Sequence, residues 1–170
     1  MKNWKLILAI LTANVVLMAA GYTMLIPFLP MYLMNELGVS AEDVKMWNGA
    51  IFSITFLIGG IMAPIWGKMA DTRGKKMMAV RAGAGLALSY FLGGIVTTPE
   101  QMFGVRVLQG FAAGLWSACL AIATSLVPME KLGVSLGIMQ AGLTCGNVIG
   151  PLVGGSLATP VSYTHLRAHE

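Results

Sequence analysis

Charge is scarce in this chain: only 11% of its 170 residues are Asp, Glu, Lys or Arg, against roughly a quarter in an ordinary soluble domain. The remainder is dominated by a 56% hydrophobic content, with a mean hydropathy of +0.76. A soluble core of this size could not hide so many long apolar runs, whereas lipid solvates the outward faces of several spanning helices. Cysteine is scarce as well. Cys119 and Cys145 both fall inside apolar runs and neither has a metal-ligating neighbour at suitable spacing, which argues against a secreted disulfide framework and makes both small packing residues. His165 and His169 share helical i, i+4 spacing near the C-terminal end, but no third ligand stands beside them, so no metal or other cofactor is expected. No nucleophile–base pair is visible, and an enzyme is not expected. The net charge of +4 would suit nucleic acid only as a patch on a folded exterior. Most of it lies in short segments between apolar runs, and no nucleic-acid partner is expected.

Five apolar segments can be drawn, at residues 6–33, 46–66, 77–96, 102–127 and 132–158, each long enough to cross a hydrocarbon core of about 30 Å. None sustains a period of two, and a barrel strand needs only about ten residues. The expected fold is therefore an all-α integral membrane bundle of about five helices. The stretch beginning at Leu6 is too long for the apolar region of a signal peptide and should stay in the mature protein. Asn35, Gly38 and Ser40, then Thr97, Thr98 and Pro99, then Pro128 punctuate the joints. Lys2, Lys5, Lys68, Arg73, Lys75, Lys76, Arg81 and Lys131 gather on one side of this arrangement and Lys45 on the other, which predicts a cytoplasmic N-terminus in a cell membrane. Trp4, Trp47 and Trp66 fall near the interfaces, where an indole is favoured. No acidic residue lies inside any of the five segments. Residues 159–170 are polar and break the pattern; they read as a non-native tail and carry no functional argument.

The second and third segments are joined by Gly67-Lys68-Met69-Ala70-Asp71-Thr72-Arg73-Gly74-Lys75-Lys76. The glycines are too far apart for a phosphate-binding P-loop, and Lys76 occupies its Ser/Thr place. Two glycines permit a tight reversal, and Asp71 can accept hydrogen bonds from basic groups or from a helix N-terminus. In the fourth segment Arg106 stands among apolar residues, so it should face a cavity or a partner; the alternative is an arginine that snorkels to the outer interface. Gln109, Gly110, Ala113 and Ser117 follow at helical spacing. In the fifth, Gly142, Gly146, Gly150 and Gly154 recur every four residues and make a groove for a closely packed helix. Gln140, Thr144, Asn147 and Pro151 form a second stripe on roughly the opposite face. Pro27 and Pro30 permit a bend near the end of the first segment.

Taken in order, these motifs resemble those of the major facilitator superfamily, in particular its twelve-helix drug:proton antiporters. Gly67, Asp71, Gly74, Lys75 and Lys76 match the signature loop G-x-L-a-D-r-x-G-r-k, with Met69 and Thr72 departing from it. Arg106, Gln109 and Gly110 match l-x-x-x-R-x-x-q-G. Gly146, Gly150, Pro151, Gly154 and Gly155 match the antiporter ending G-x-x-x-G-P-x-x-G-G, and the run Leu25 to Leu33 looks like a first exporter helix. The resemblance implies that residues 1–158 are a partial N-terminal half, that Asp71 is a conformational latch, and that Arg106 takes part in proton coupling. It further implies export of small amphipathic compounds against protons, with Asn14, Arg106, Gln109, Gln140, Thr144 and Asn147 as candidate cavity groups. A sugar or metabolite carrier of the same superfamily and a non-transporting membrane scaffold are the alternatives. The expected partners are the substrate, protons, the bilayer and the C-terminal half of the same protein. Five helices of one half cannot wall a midplane cavity, so the 170-residue chain alone is expected not to transport.

Overall fold

A computed structural model describes the backbone of residues 3–167 and the side chains of residues 3–156. His165, His169 and the proposed tail at 159–170 lie outside the described side chains. Seven helices follow one another: α1 (Trp4–Met24), α2 (Leu29–Asn35), α3 (Val44–Arg73), α4 (Lys75–Gly93), α5 (Pro99–Ala112), α6 (Leu115–Leu126) and α7 (Met129–Arg167). Among the described residues four segments are long and apolar enough to cross a membrane: α1, α3, the α5–α6 pair, and Met129–Ser156 of α7. The third expected span corresponds to α4, which is 19 residues long and falls outside that set. It opens with Lys75 and Lys76, carries Arg81, and interleaves its larger apolar residues with Ala and Gly.

Seven helices stand for five expected spans because two spans are broken. The first breaks where the prolines predict it, between Met24 and Leu29. Pro27 has no amide hydrogen to donate, and the chain turns through bonds from the Ile26 amide to the Thr23 carbonyl and from the Leu29 amide to the Leu25 carbonyl. The fourth breaks at Ala113 and Gly114, where the sequence reading has a continuous helix. Gly114 has φ +110°, a value glycine tolerates and side-chain-bearing residues rarely adopt.

The joint between α3 and α4 also differs from expectation. Gly67 to Arg73, read as loop, continues α3 in helical form, and the reversal is made at Gly74 with φ +93°. Lys68, Met69 and Ala70 are good helix formers, so one glycine suffices where two were expected. At the other end of the bundle, α5 starts with Thr98 as N-cap, its hydroxyl accepting from the Gln101 amide at 3.3 Å, and with Pro99 in the first turn. Thr98 and Gln101 hold capping-box spacing, although the Gln101 side chain accepts from the Thr97 amide at 3.0 Å instead.

The chain divides into two compact units. One comprises residues 1–29 and 123–170 and is held together by α1 against α7. The other comprises residues 30–122 and packs α3, α4 and α5 on one another.

Candidate functional site

In the unit built from α1 and α7, the four-residue glycine period does what its spacing suggests. A Cβ on Gly142 would stand 2.9 Å from the Thr12 side chain, and one on Gly146 would stand 2.5 Å from the Val16 carbonyl and 2.7 Å from Ala19 Cβ. One on Gly150 would strike the Thr23 hydroxyl and the Ala20 carbonyl, and one on Gly154 would come within 2.8 Å of the Met24 carbonyl. Contact positions rise together on both helices, so α1 and α7 run parallel with their backbones in contact. Gly155 is different: a Cβ there would meet only the Phe28 ring, at 4.0 Å. Thr12 and Thr23 bond back to the carbonyls of Leu8 and Ala19, at 2.9 and 2.8 Å. Their hydroxyls are thereby satisfied within α1 and bring only methyl groups or a bonded oxygen to the seam.

The second stripe of α7 faces away from that seam. Gln140, Thr144 and Asn147 are exposed and Pro151 is half-buried. Asn14 of α1 is exposed as well. Thr144 bonds to the Gln140 carbonyl at 3.1 Å. Within this unit the four cavity candidates sit on its surface.

In the second unit Arg106 is 5% exposed and Gln109 3%, so both side chains lie inside the packed unit. Arg106 Nη1 donates to Gln109 Oε1 at 2.9 Å, one helical turn along α5. Its guanidinium carbon stands 5.6 Å from the centre of the Phe52 ring of α3. The Gln109 amide is neutral, so this bond orients the guanidinium without cancelling its charge. Gln109 Nε2 is buried and makes no hydrogen bond among the described residues, and the same holds for Asn48 Oδ1 on α3. Orphaned buried polar groups are uncommon and concentrate where a structure has work beyond stability. The third member of this motif, Gly110, has a packing role. Its Cβ would lie 2.6 Å from the Thr55 carbonyl and 2.9 Å from Ile58 Cβ, and Thr55 ties the same two helices by donating to the Arg106 carbonyl at 3.2 Å.

The signature-loop residues surround a separate pocket of ≈ 330 Å³, whose lining includes Trp66, Gly67, Asp71, Lys75 and Arg81. Gly74 and Lys76 are exposed beside it. Asp71 is exposed in the last turn of α3. The residue that organises this pocket is one the sequence reading treats only as a positive-side charge. Arg81 donates to the Phe111 carbonyl from Nη1 at 3.1 Å and to the Ala113 carbonyl from Nη2 at 2.9 Å. Trp66 lies under the Arg81 guanidinium at 3.8 Å and donates from Nε1 to the Phe111 carbonyl at 3.0 Å. The signal that could have pointed here is the pair Ala113-Gly114 in the fourth segment, a helix stop within an apolar run.

The family model described as Major Facilitator Superfamily matches residues 11–166 of the chain. The chain is 39% identical over 157 residues to a protein of Proteus mirabilis named multidrug resistance protein MdtG, an alignment covering 92% of this chain and 39% of that protein. It is likewise 39% identical over 157 residues to the Yersinia enterocolitica protein of the same name, covering 92% and 38%. A Bacillus subtilis protein named uncharacterized MFS-type transporter YuxJ is 37% identical over 147 residues, covering 86% and 38%. The chain thus spans about two fifths of the length of these curated relatives.

Proposed function

The chain belongs to the major facilitator superfamily, and from that premise we propose that it forms part of a secondary transporter exporting drugs or other amphipathic small molecules in exchange for protons. The observation that carries this reading is Arg106, a buried cation in an apolar helix, oriented by Gln109 and packed near Phe52. A charge in a low-dielectric setting is costly to maintain, and its field acts strongly on any nearby protonation site. Relatives whose printed names are multidrug resistance proteins support the substrate class.

In this reading the protein is a multi-pass membrane protein of the cell membrane with a cytoplasmic N-terminus. α4 completes its five spans. Gly67, Asp71, Gly74, Lys75 and Lys76 form a switch region at the cytoplasmic end. Asn14, Gln140, Thr144 and Asn147 line the substrate path once the rest of the transporter faces them. The carboxylate that carries the proton lies outside the five spans of this chain.

The test is expression of the full coding sequence around this chain in efflux-deficient cells loaded with a fluorescent cationic dye. Dye should leave faster than from control cells, and a protonophore should abolish the difference. Efflux indistinguishable from the control overturns the exporter reading. Topology is tested separately by cysteine at Glu42 or Thr72 and an impermeant maleimide. Labelling at Thr72 and not at Glu42 in intact cells reverses the orientation.

A further inference from the structure

We infer that Arg81 is a positioning residue which, with Trp66, clamps the break between α5 and α6 and so sets the direction in which α5 carries Arg106. Any helix end leaves carbonyls without intrahelical partners, and inside a bilayer no water reaches them. Here the break falls within a segment long and apolar enough to span. The Ala113 amide takes only the Gly110 carbonyl as the helix tightens at its end. The Phe111 and Ala113 carbonyls are taken by the two terminal nitrogens of Arg81, and Phe111 receives a second donor from Trp66. Beyond the break, the Gly114 carbonyl restarts the chain as α6 by accepting from the Ala118 amide at 2.9 Å.

Three features make this a clamp and not a chance contact. The cation stands at the carbonyl end of α5, where the helix dipole favours positive charge. Its flat face covers the Trp66 ring at 3.8 Å while its edge serves two carbonyls, a combination that a lysine ammonium cannot reproduce. Trp66 in turn meets Phe111 edge-on, with centroids 5.2 Å apart and planes at 88°. One residue of α3, one of α4 and the end of α5 therefore share a single set of bonds. Arg81 lies on the same helix as Lys75 and Lys76, so a displacement of the switch region reaches the break through α4. The consequence for the transport cycle rests on the exporter reading, but the clamp itself does not.

The experiment measures distances between spin labels in the protein made from its full coding sequence, held in lipid nanodiscs without substrate or gradient, after Cys119 and Cys145 are replaced by alanine. One pair, at Gly104 and Leu120, straddles the break; a control pair, at Lys45 and Ile61, lies within α3. Arg81→Gln and Arg81→Lys should both broaden and shift the straddling distances and leave the control pair unchanged. Trp66→Phe should do the same to a smaller extent. An unchanged straddling distribution in Arg81→Lys overturns the clamp, because charge alone would then suffice. Equal broadening of both pairs overturns it too, since Arg81 would then support the fold at large. Failure of dye efflux in cells would defeat the exporter reading and leave these distances as they are.

Discussion

The two units hold together by different means. Between α1 and α7 the seam is made by subtraction, with glycine side chains absent at four positions so that backbones touch. Among α3, α4 and α5 close contacts at Gly85 and Gly110 are joined by addition: side-chain donors reach across to backbone carbonyls, from Thr55 to Arg106, from Trp66 to Phe111 and from Arg81 to Phe111 and Ala113. A glycine seam is continuous and indifferent to small rotations, while a set of directed hydrogen bonds holds one arrangement until it is broken.

The largest expected effect comes from filling the glycine seam. Gly146→Leu places a branched side chain where even a Cβ meets backbone at 2.5 Å. Overpacking of this kind costs about 1–3 kcal/mol or more, so detergent-solubilised protein should lose its monodisperse peak in size-exclusion chromatography. An unchanged peak would remove the distinction between the units. Gly155→Ala is the internal control, because its Cβ would be in ordinary contact at 4.0 Å, and it should leave the peak intact.

Next in size is the buried cation. Arg106→Gln should abolish gradient-driven dye efflux and leave expression near normal, since a neutral side chain of similar reach replaces the charge. Gln109→Leu should weaken efflux less. It removes the orienting acceptor for Arg106 and also the buried Nε2 that makes no bond among the described residues, and an unmet donor costs about 1–3 kcal/mol. Retention of full efflux in Arg106→Gln would make this charge dispensable and blur the contrast from the other side.

Smaller still are changes on the outward stripe. Asn147→Ala should alter thermal stability by less than about 0.5 kcal/mol, as surface substitutions usually do, but should shift dye selectivity if this face meets substrate. The least perturbing probe uses the native thiols. Cys145 is exposed and Cys119 buried, so a maleimide added to folded protein in detergent should modify Cys145 quickly and Cys119 only after unfolding. Comparable rates would mean that the 30–122 unit opens readily.

The additive and subtractive seams also differ in how readable they are from sequence. Gly142, Gly146, Gly150 and Gly154 announce their groove by period alone, and Pro27 and Pro30 announce the first break, because both signals are local. Arg106 is legible as a buried cation since charge in an apolar run leaves few choices. The α5–α6 break is not, because Gly114 is one of many glycines and its neighbours remain apolar. Nor is the role of Arg81, which depends on carbonyls 30 and 32 positions away; only the fold brings them together. The contacts of Trp66 are hidden for the same reason, since its interfacial expectation says nothing of partners. The extension of α3 through Arg73 escapes notice because Gly67 and Gly74 both look like turn residues in sequence and only Gly74 turns the chain.

The pairing of α1 with α7 has a consequence for synthesis. α1 leaves the ribosome well before its partner glycines, which begin only at Gly142, after the whole 30–122 unit has been made. At typical rates of about 5–20 residues per second, α1 waits on the order of ten seconds in the membrane with Thr12, Val16, Ala19 and Ala20 facing something other than their final neighbour. The unit 30–122 is contiguous and has no such wait. During that interval α1 is the segment most open to capture by an insertion chaperone or by another nascent chain, and a slowed ribosome between Ile122 and Gly142 would lengthen its exposure without altering a single residue.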